Sequence, residues 1–269
     1  MIRAFWQSKV ACAVVVAVST GVVVLIWMRN LDRPLYIPAV ATLLMAGIAY
    51  FTARLLGNIV ANIQNTNRLG LLHMELDPEA FIEQYAGVVE RLKLDSRDRA
   101  IAGAYLADGY AAAGQFDQAL ATLHTNRPAQ SGDYALSGLY NHNFCAYSIA
   151  KGDLDGARQA ADELEKIVHA CWDKRAALAQ NLKEGLNLHR VHMACEAGEE
   201  IDTGWLEGQL DKATYKLKKL EISKILVHAA ILKGDFAAAH TYITSLRKEA
   251  GKTYYKRWAL QQLHCLPRA

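Results

Sequence analysis

Three times along this chain one short pattern stops a helix and starts another. Gly114-Gln115-Phe116-Asp117-Gln118-Ala119, Gly152-Asp153-Leu154-Asp155-Gly156-Ala157 and Gly234-Asp235-Phe236-Ala237-Ala238-Ala239 share the order Gly, polar residue, large apolar residue, two free positions, Ala. Glycine just past a helix end takes the left-handed conformation that other residues resist, so the first helix ends there. An acidic residue next suits the exposed amides of the following helix. The large apolar residue wedges between the two helices, and the Ala lets their backbones approach. One such hairpin cannot bury its apolar face, but stacked neighbours can, so the pattern predicts an array of antiparallel helix pairs.

Spacing extends the array. Gly114 to Gly152 is 38 residues and Gly152 to Gly234 is 82, two periods of 41. Room is left for one degenerate unit, whose turn is expected at Glu196-Ala197-Gly198-Glu199-Glu200-Ile201.

Aligned on Gly114, the first unit carries Leu106, Ala107, Tyr110, Phe116, Ala119 and Leu123. There the tetratricopeptide repeat family has Leu, Gly, Tyr, Tyr or Phe, Ala and Phe. The unit departs at Gly103, where that family usually has Trp, and its Pro128 comes early. The second unit keeps Phe144, Cys145 and Ala157 with Ser148 for the Tyr, and the last keeps Leu226, Ala239 and Ile243 with Ala230 there. Residues 97–250 thus resemble a tetratricopeptide (TPR) array whose periods exceed the usual ~34 residues. The resemblance implies an α-solenoid that holds a partner protein or peptide on its concave face, around Tyr110 and Phe144.

The N-terminus is of another kind. Val10 to Met28 is 19 residues without a charge, between Lys9 and Arg29, and about 20 apolar residues cross a bilayer as a helix. A second apolar run, Leu35 to Leu56, carries only Arg54, whose head group can snorkel to the interface. Trp27, Tyr36 and Tyr50 stand near the ends, where interfacial aromatics belong. The connector Arg29-Asn30-Leu31-Asp32-Arg33-Pro34 is short enough to force an antiparallel hairpin. The first span is long for a signal peptide and no small-x-small site follows it, so it is expected to remain attached.

Arg3, Lys9, Arg54 and Arg68 flank the outer ends of the spans, against Arg29 and Arg33 between them. This bias predicts a multi-pass protein of the cell membrane with both termini cytoplasmic. Cys145, Cys171, Cys195 and Cys265 show no framework spacing, as reduced thiols would, and Cys12 falls in the first span.

The fold class expected is all-α: a transmembrane hairpin over 1–57 (spans 10–28 and 35–56), a juxtamembrane connector over 58–76, and a TPR-like domain over 77–269 ending in a capping helix. Asn58 to Asn67 reads as an interfacial continuation of the second span or a hinge. Asp77-Pro78-Glu79 opens a helix by N-cap, first-position Pro and first-turn acid, and Phe81, Ile82, Tyr85, Val88, Val89 and Leu92 give it one apolar stripe. Asp95-Ser96 caps the next. Asn126 to Asp133 reads as a linker.

Residues of chemical interest are few. His189, His192 and Cys195 are three apart on one helix, with His169 and Cys171 a helix earlier, but steps of three drift round a helix and no close cysteine pair accompanies them. They read as packing residues. Asp162, Glu163 and Glu165 read as a solvated face, and Trp172 and Trp205 as packing. No catalytic or metal-binding residue and no cofactor is expected.

Charge is uneven. Residues 70–211 carry 12 basic and 23 acidic side chains, a balance of −11, and residues 212–269 carry 12 and three, a balance of +9. Lys212, Lys216 and Lys219 fit one helix face at spacings of four and three, and with Lys256 they form a candidate docking patch for an acidic partner or anionic lipid. Nucleic acid is not an expected partner. The expected function is a membrane-anchored interaction module, an adaptor or scaffold; the alternatives are a structural accessory subunit of a larger membrane complex and, third, a His/Cys metal-dependent enzyme.

Overall fold

The computed structural model describes residues 2–29, 36–128 and 132–266, with side chains from Ala13 to Arg29, Pro38 to Pro128 and Gly132 to Leu266. The connector residues 30–34, Leu35, the middle of the linker after Asn126, and the side chains of Arg3, Lys9, Val10, Cys12 and Tyr36 lie outside the described residues. Among the described residues there are twelve helices and no strand, so the fold is all-α. The chain divides into two compact units, Met1–Arg68 and Leu69–Ala269.

The first unit contains α1 (Ile2–Arg29) and most of α2 (Tyr36–His73). The 38 residues of α2 reach about 57 Å at ~1.5 Å per residue, beyond the ~30 Å of a bilayer core. From Pro38 onward α2 is long and apolar enough to cross a membrane, the one such helix among the described residues. Ala13–Arg29, the described apolar part of α1, is shorter. Trp27 Nε1 donates to Thr42 Oγ1 at 3.0 Å, and Thr42 donates in turn to the Pro38 carbonyl at 2.8 Å, tying the end of α1 to the start of α2. Val16, Val18, Leu43, Leu44 and Phe51 are all exposed, the kind of apolar surface that another apolar phase covers. The amide-rich stretch 58–67 makes no break, because α2 runs straight through it.

In the second unit, α3 (Pro78–Arg91) opens as its residues dictate: Ala80 N donates to Asp77 Oδ1 at 3.3 Å, and Phe81, Tyr85 and Val89 are buried. Ser96 Oγ accepts from Arg99 N to start α4 (Arg97–Ala112). Then come the pairs: α4 with α5 (Phe116–Thr125), α6 (Tyr134–Lys151) with α7 (Leu154–Cys171), α8 (Ala176–Glu196) before α9 (Gly204–Lys212), and α10 (Lys216–Leu232) with α11 (Phe236–Glu249). Each of the turn glycines Gly114, Gly152, Gly198 and Gly234 has a positive φ, between 72° and 87°. Asp153 and Asp235 cap the helices that follow, each accepting from an amide three residues on at 2.9 Å. Ala119, Ala157 and Ala239 are 0% exposed, where the pattern required small residues at the helix crossing.

Packing follows the chain order. The first helices touch in sequence (α4 with α6, α6 with α8, α8 with α10), and each second helix touches the next first helix (α5 with α6, α7 with α8, α9 with α10). The third pair is the irregular one. After Gly198 the chain takes five more residues before α9 begins, and α9 buries only Leu206.

Two sequence expectations change here. Lys212, Lys216 and Lys219 do not share a helix: Lys212 ends α9, Ala213 is extended at φ −67° and ψ 120°, and Lys216 begins α10. The chain turns back there so that α9 can pack on α10. The last helix, α12 (Tyr254–Cys265), does more than cap α11. Lys252 N donates to the Leu76 carbonyl at 3.0 Å, Lys252 Nζ reaches Asp77 Oδ2 at 2.5 Å, and Arg257 Nη2 donates to the Ala113 carbonyl at 3.1 Å. Tyr254 packs edge-on against Phe116, with ring centroids 5.1 Å apart. The end of the domain is thus fastened to its beginning. Leu76 sits at φ 57°, a left-handed value unusual for leucine, and is held there by burial and by that carbonyl bond.

Candidate functional site

Helical periodicity brings one face of each first helix to a common space. Asp108 and Ala111 of α4, His142, Asn143, Ala146 and Tyr147 of α6, Asn181, Gly185, Leu188 and His192 of α8, and Lys218, Glu221 and Ile222 of α10 recur at intervals of three and four. They line a cavity of about 470 Å³, closed on one side by Tyr254 and Tyr255 of α12. Gly185 lets α6 and α8 approach, since a Cβ there would meet His142 Nδ1 at 2.8 Å.

The wall is strongly polar. Tyr147 donates its hydroxyl to Asp108 Oδ1 in a short bond, and Asn143 Nδ2 donates to the same oxygen at 3.1 Å. Burial raises the Asp108 carboxyl to about 7, against the opposing pull of the Tyr147 bond, with Glu221 raising and Lys218 lowering it further. Glu221 is paired with Lys218 at 2.8 Å. Burial alone would raise Glu221, but the charge and hydrogen bond of Lys218 hold it below the usual carboxylate range.

The histidines are neutral. Burial, helped by Lys218, pushes His142 down to about 4, and burial and His142 push His189 well below the ordinary imidazole value. His189 Nε2 and His142 Nδ1 lie 2.9 Å apart and share one proton between them, while His189 Nδ1 is buried without a partner. His192 is lowered by burial as well. Its Nε2 is 3.3 Å from Glu196 Oε1, off the angle of a hydrogen bond. Glu196 also has His228 Nδ1 at 3.2 Å and Lys224 Nζ at 3.5 Å. Burial would raise its carboxyl, yet these neighbours hold it well below the ordinary range.

The residues singled out from sequence lie elsewhere. Tyr110 and Phe144 are half-buried and packed into the layers between helices rather than lining the cavity; Phe144 stacks on Tyr140 at 6.0 Å. Lys212, Lys216 and Lys256 are exposed and Lys219 is half-buried. Lys256 lines a separate groove with Lys252, Arg257, Pro78 and Glu79. The structure therefore does not gather these six into one site. Among the described residues no group of three or more His, Cys, Asp or Glu could hold a metal ion. Cys195 and Cys171 are in hydrophobic cores. Glu163 and Glu165 pair with Lys166 and Arg190 on the surface. Trp205 packs on the core and Trp172 is exposed, with Lys183 over its ring at 5.4 Å.

Asp108, His142, Asn143, Tyr147, Lys218, Glu221 and Tyr254 escaped the sequence reading. One signal was present: Asp108 is the only acid between Asp98 and Asp117, in a stretch from Ala100 to Ala113 otherwise made of small, apolar and aromatic residues. No family model, curated protein or solved structure matches the chain.

Proposed function

We propose that the chain is a membrane-anchored interaction module: a TPR-like solenoid, held at the cytoplasmic face by a two-span hairpin, that receives part of a partner protein or peptide. The observation that carries this reading is the cavity itself, lined by the first helices of successive pairs and furnished with hydrogen-bonding groups that no core requires. The ordered packing of pairs supports the solenoid, and the Trp27–Thr42 contact supports the hairpin. The inner wall replaces Tyr110, Phe144 and the lysines as the place of contact.

A photo-crosslinking residue at Asn181, which is exposed and lines the cavity, tests this in intact membranes. Adducts are expected from Asn181 and not from Gln118 on the outer side of α5. Equal labelling at both positions, or none at Asn181, overturns the reading. Protease added to intact cells is expected to spare the domain, and its digestion would reverse the orientation.

A further inference from the structure

The cavity is lined by three carboxylates, Asp108, Glu184 and Glu221, and one lysine, Lys218; Glu184 is exposed and accepts from Gln180 Nε2 at 3.1 Å. Glu221 has Lys218. Asp108 has no ion pair among the described residues, and both of its hydrogen bonds fall on Oδ1. Tyr147 and Asn143 together fix the Oδ1 edge of the carboxyl and leave its other edge turned away from them. Oδ2 carries no hydrogen bond among the described residues and belongs to a side chain that lines the cavity. A half-buried carboxyl without an ion-pair partner is a costly element unless something occupies the space before it.

The rest of the wall suits a positive occupant. His142 and His192 are neutral and do not repel one. Tyr147, Tyr254 and Tyr255 contribute aromatic rings, which attract cations through their faces. Lys218 is the one cation in the wall and is committed to Glu221.

We propose that the cavity seats one cationic group, a protonated amine or a guanidinium, against Asp108 Oδ2, with Tyr147 and Asn143 positioning the carboxylate. The assignment rests on the reading of the cavity as the binding face and names the chemistry of what it binds. A raised carboxyl, at about 7, fits a group that becomes fully ionised only when the cation arrives. The titratable groups that share the cavity wall with Asp108 are His73 from α2, Tyr147 and His142 from α6, Glu184 and His192 from α8, Tyr215 before α10, Lys218 and Glu221 from α10, and Tyr254 and Tyr255 from α12.

The test is calorimetric titration of the full chain in lipid nanodiscs with blocked arginine, blocked lysine, methylguanidinium and blocked citrulline, the neutral isostere of arginine. The cationic probes are expected to bind at least about tenfold more tightly than citrulline. At pH 7 each binding event should release about half a proton, read from the dependence of the heat on buffer ionisation. Asp108→Asn keeps the shape and an oxygen acceptor; it should abolish both the preference and the proton release. Glu90→Gln, an exposed acid that does not line the cavity, should leave both in place. Blocked arginine binding more tightly than methylguanidinium points to a partner's side chain, and equal binding to a free small cation, either of which supports the seat. Equal binding of citrulline and arginine, no binding of any cation, or cation binding without proton release overturns it. Adducts at Asn181 that persist in Asp108→Asn, alongside any of those failures, leave the interaction module standing and remove only the cation assignment.

Discussion

Ala119, Ala157 and Ala239 are wholly buried where the second helix of a pair crosses the first, whereas Asp108, Asn143, Tyr147 and Glu221, on the first helices of the same pairs, face a cavity. At the crossing every feature favours stability: a left-handed glycine, a capping carboxylate in two of the turns, and no Cβ branch in the gap. In the cavity the same helices carry groups that burial penalises, a carboxyl raised to about 7 and a histidine lowered to about 4. The difference teaches that the turns serve the fold, while the inner wall departs from what the fold alone would select.

The sharpest way to break this contrast is at the crossing. Ala157→Leu adds three carbons where the native side chain is 0% exposed, and overpacking of this kind costs about 1–3 kcal/mol. Thermal melting of the full chain in detergent should fall by several degrees, while Gln118→Leu on the exposed side of α5 should leave it nearly unchanged. Equal melting of both variants would mean that the crossing is loose.

The cavity should respond in the opposite sense. Asp108 moves from 3.8 in the unfolded chain to about 7, so between those values the native state holds a proton that the unfolded chain releases. Its contribution to stability therefore falls as pH rises through that window and stays lost above pH 7. Roughly three units would give ~4 kcal/mol in full, and contact with cavity water cuts this to ~2 kcal/mol. Asp108→Asn should accordingly stabilise the protein at pH 8, measured by denaturant unfolding, and a loss of stability there would refute the raised carboxyl.

His142 has the reverse sign. It falls from 6.5 to about 4, so the unfolded chain takes up a proton that the native state refuses, and stability declines as pH drops from 6.5 toward 4. His189 and His192, also lowered, act the same way. In the parent these terms oppose Asp108 across the acid range, and Asp108→Asn removes that opposition. The variant should show a steeper acid decline and no decline between pH 6.5 and 7. A pH profile parallel to the parent would show that the groups do not titrate as their surroundings dictate.

The same contrast explains what could be read in advance. The turns at Gly114, Gly152 and Gly234 are written in six consecutive residues, so backbone sterics and capping reveal them locally. Gly198 was found by spacing alone, and its turn is present at φ 80°. The late start of α9 was hidden because Glu199, Glu200 and Ile201 offer no cap; Asp202 Oδ1 accepts from Gly204 N only at 3.0 Å further along. The break after Lys212 carries no Gly or Pro to announce it. Asp108 meets Asn143 and Tyr147 across 35 and 39 residues, a full repeat away, so no local pattern encodes the cavity. Tyr110 and Phe144 stand in packing layers, since aromatics at helical spacing mark such layers as readily as binding faces. The return of α12 to Ala113 and Leu76 joins residues at opposite ends of the domain, which periodicity does not report.

Within the seam itself the turns differ by one cap, and this yields the next smaller effect. Asp153 Oδ1 accepts from Gly156 N at 2.9 Å, and removing such a cap costs about 1 kcal/mol. Asp153→Ala should lower the unfolding midpoint by that equivalent without changing the slope of the denaturant transition. A changed slope would show that the turn's loss alters the cooperativity of the whole array.

The smallest effect should be a gain. Gln115 occupies the position of Asp153 and Asp235 in the first turn, at φ −97° and ψ 62° against −86° and 79° at Asp153, yet makes no side-chain cap bond. The backbone is therefore already arranged to receive a shorter acceptor. Gln115→Asp places a carboxylate where Asp153 has one, in reach of the amide three residues on, at Gln118, and next to the positive end of α5. The pair of contributions, a cap bond and the helix dipole, is worth about 0.5–1 kcal/mol for an exposed site. Part of that is offset by Asp117, a like charge two residues on that already binds Lys151 at 2.6 Å. A net gain of about 0.5 kcal/mol is expected at low salt, shrinking as ionic strength screens the dipole while the cap bond remains. The double variant Gln115→Asp with Asp153→Ala should show the two changes adding, since they lie in different turns. A loss of stability in Gln115→Asp would mean that the first turn is held by the seam with Tyr254 and Arg257 on α12 rather than by its own cap, and that the equivalence of the repeat turns ends at the place where the last helix returns.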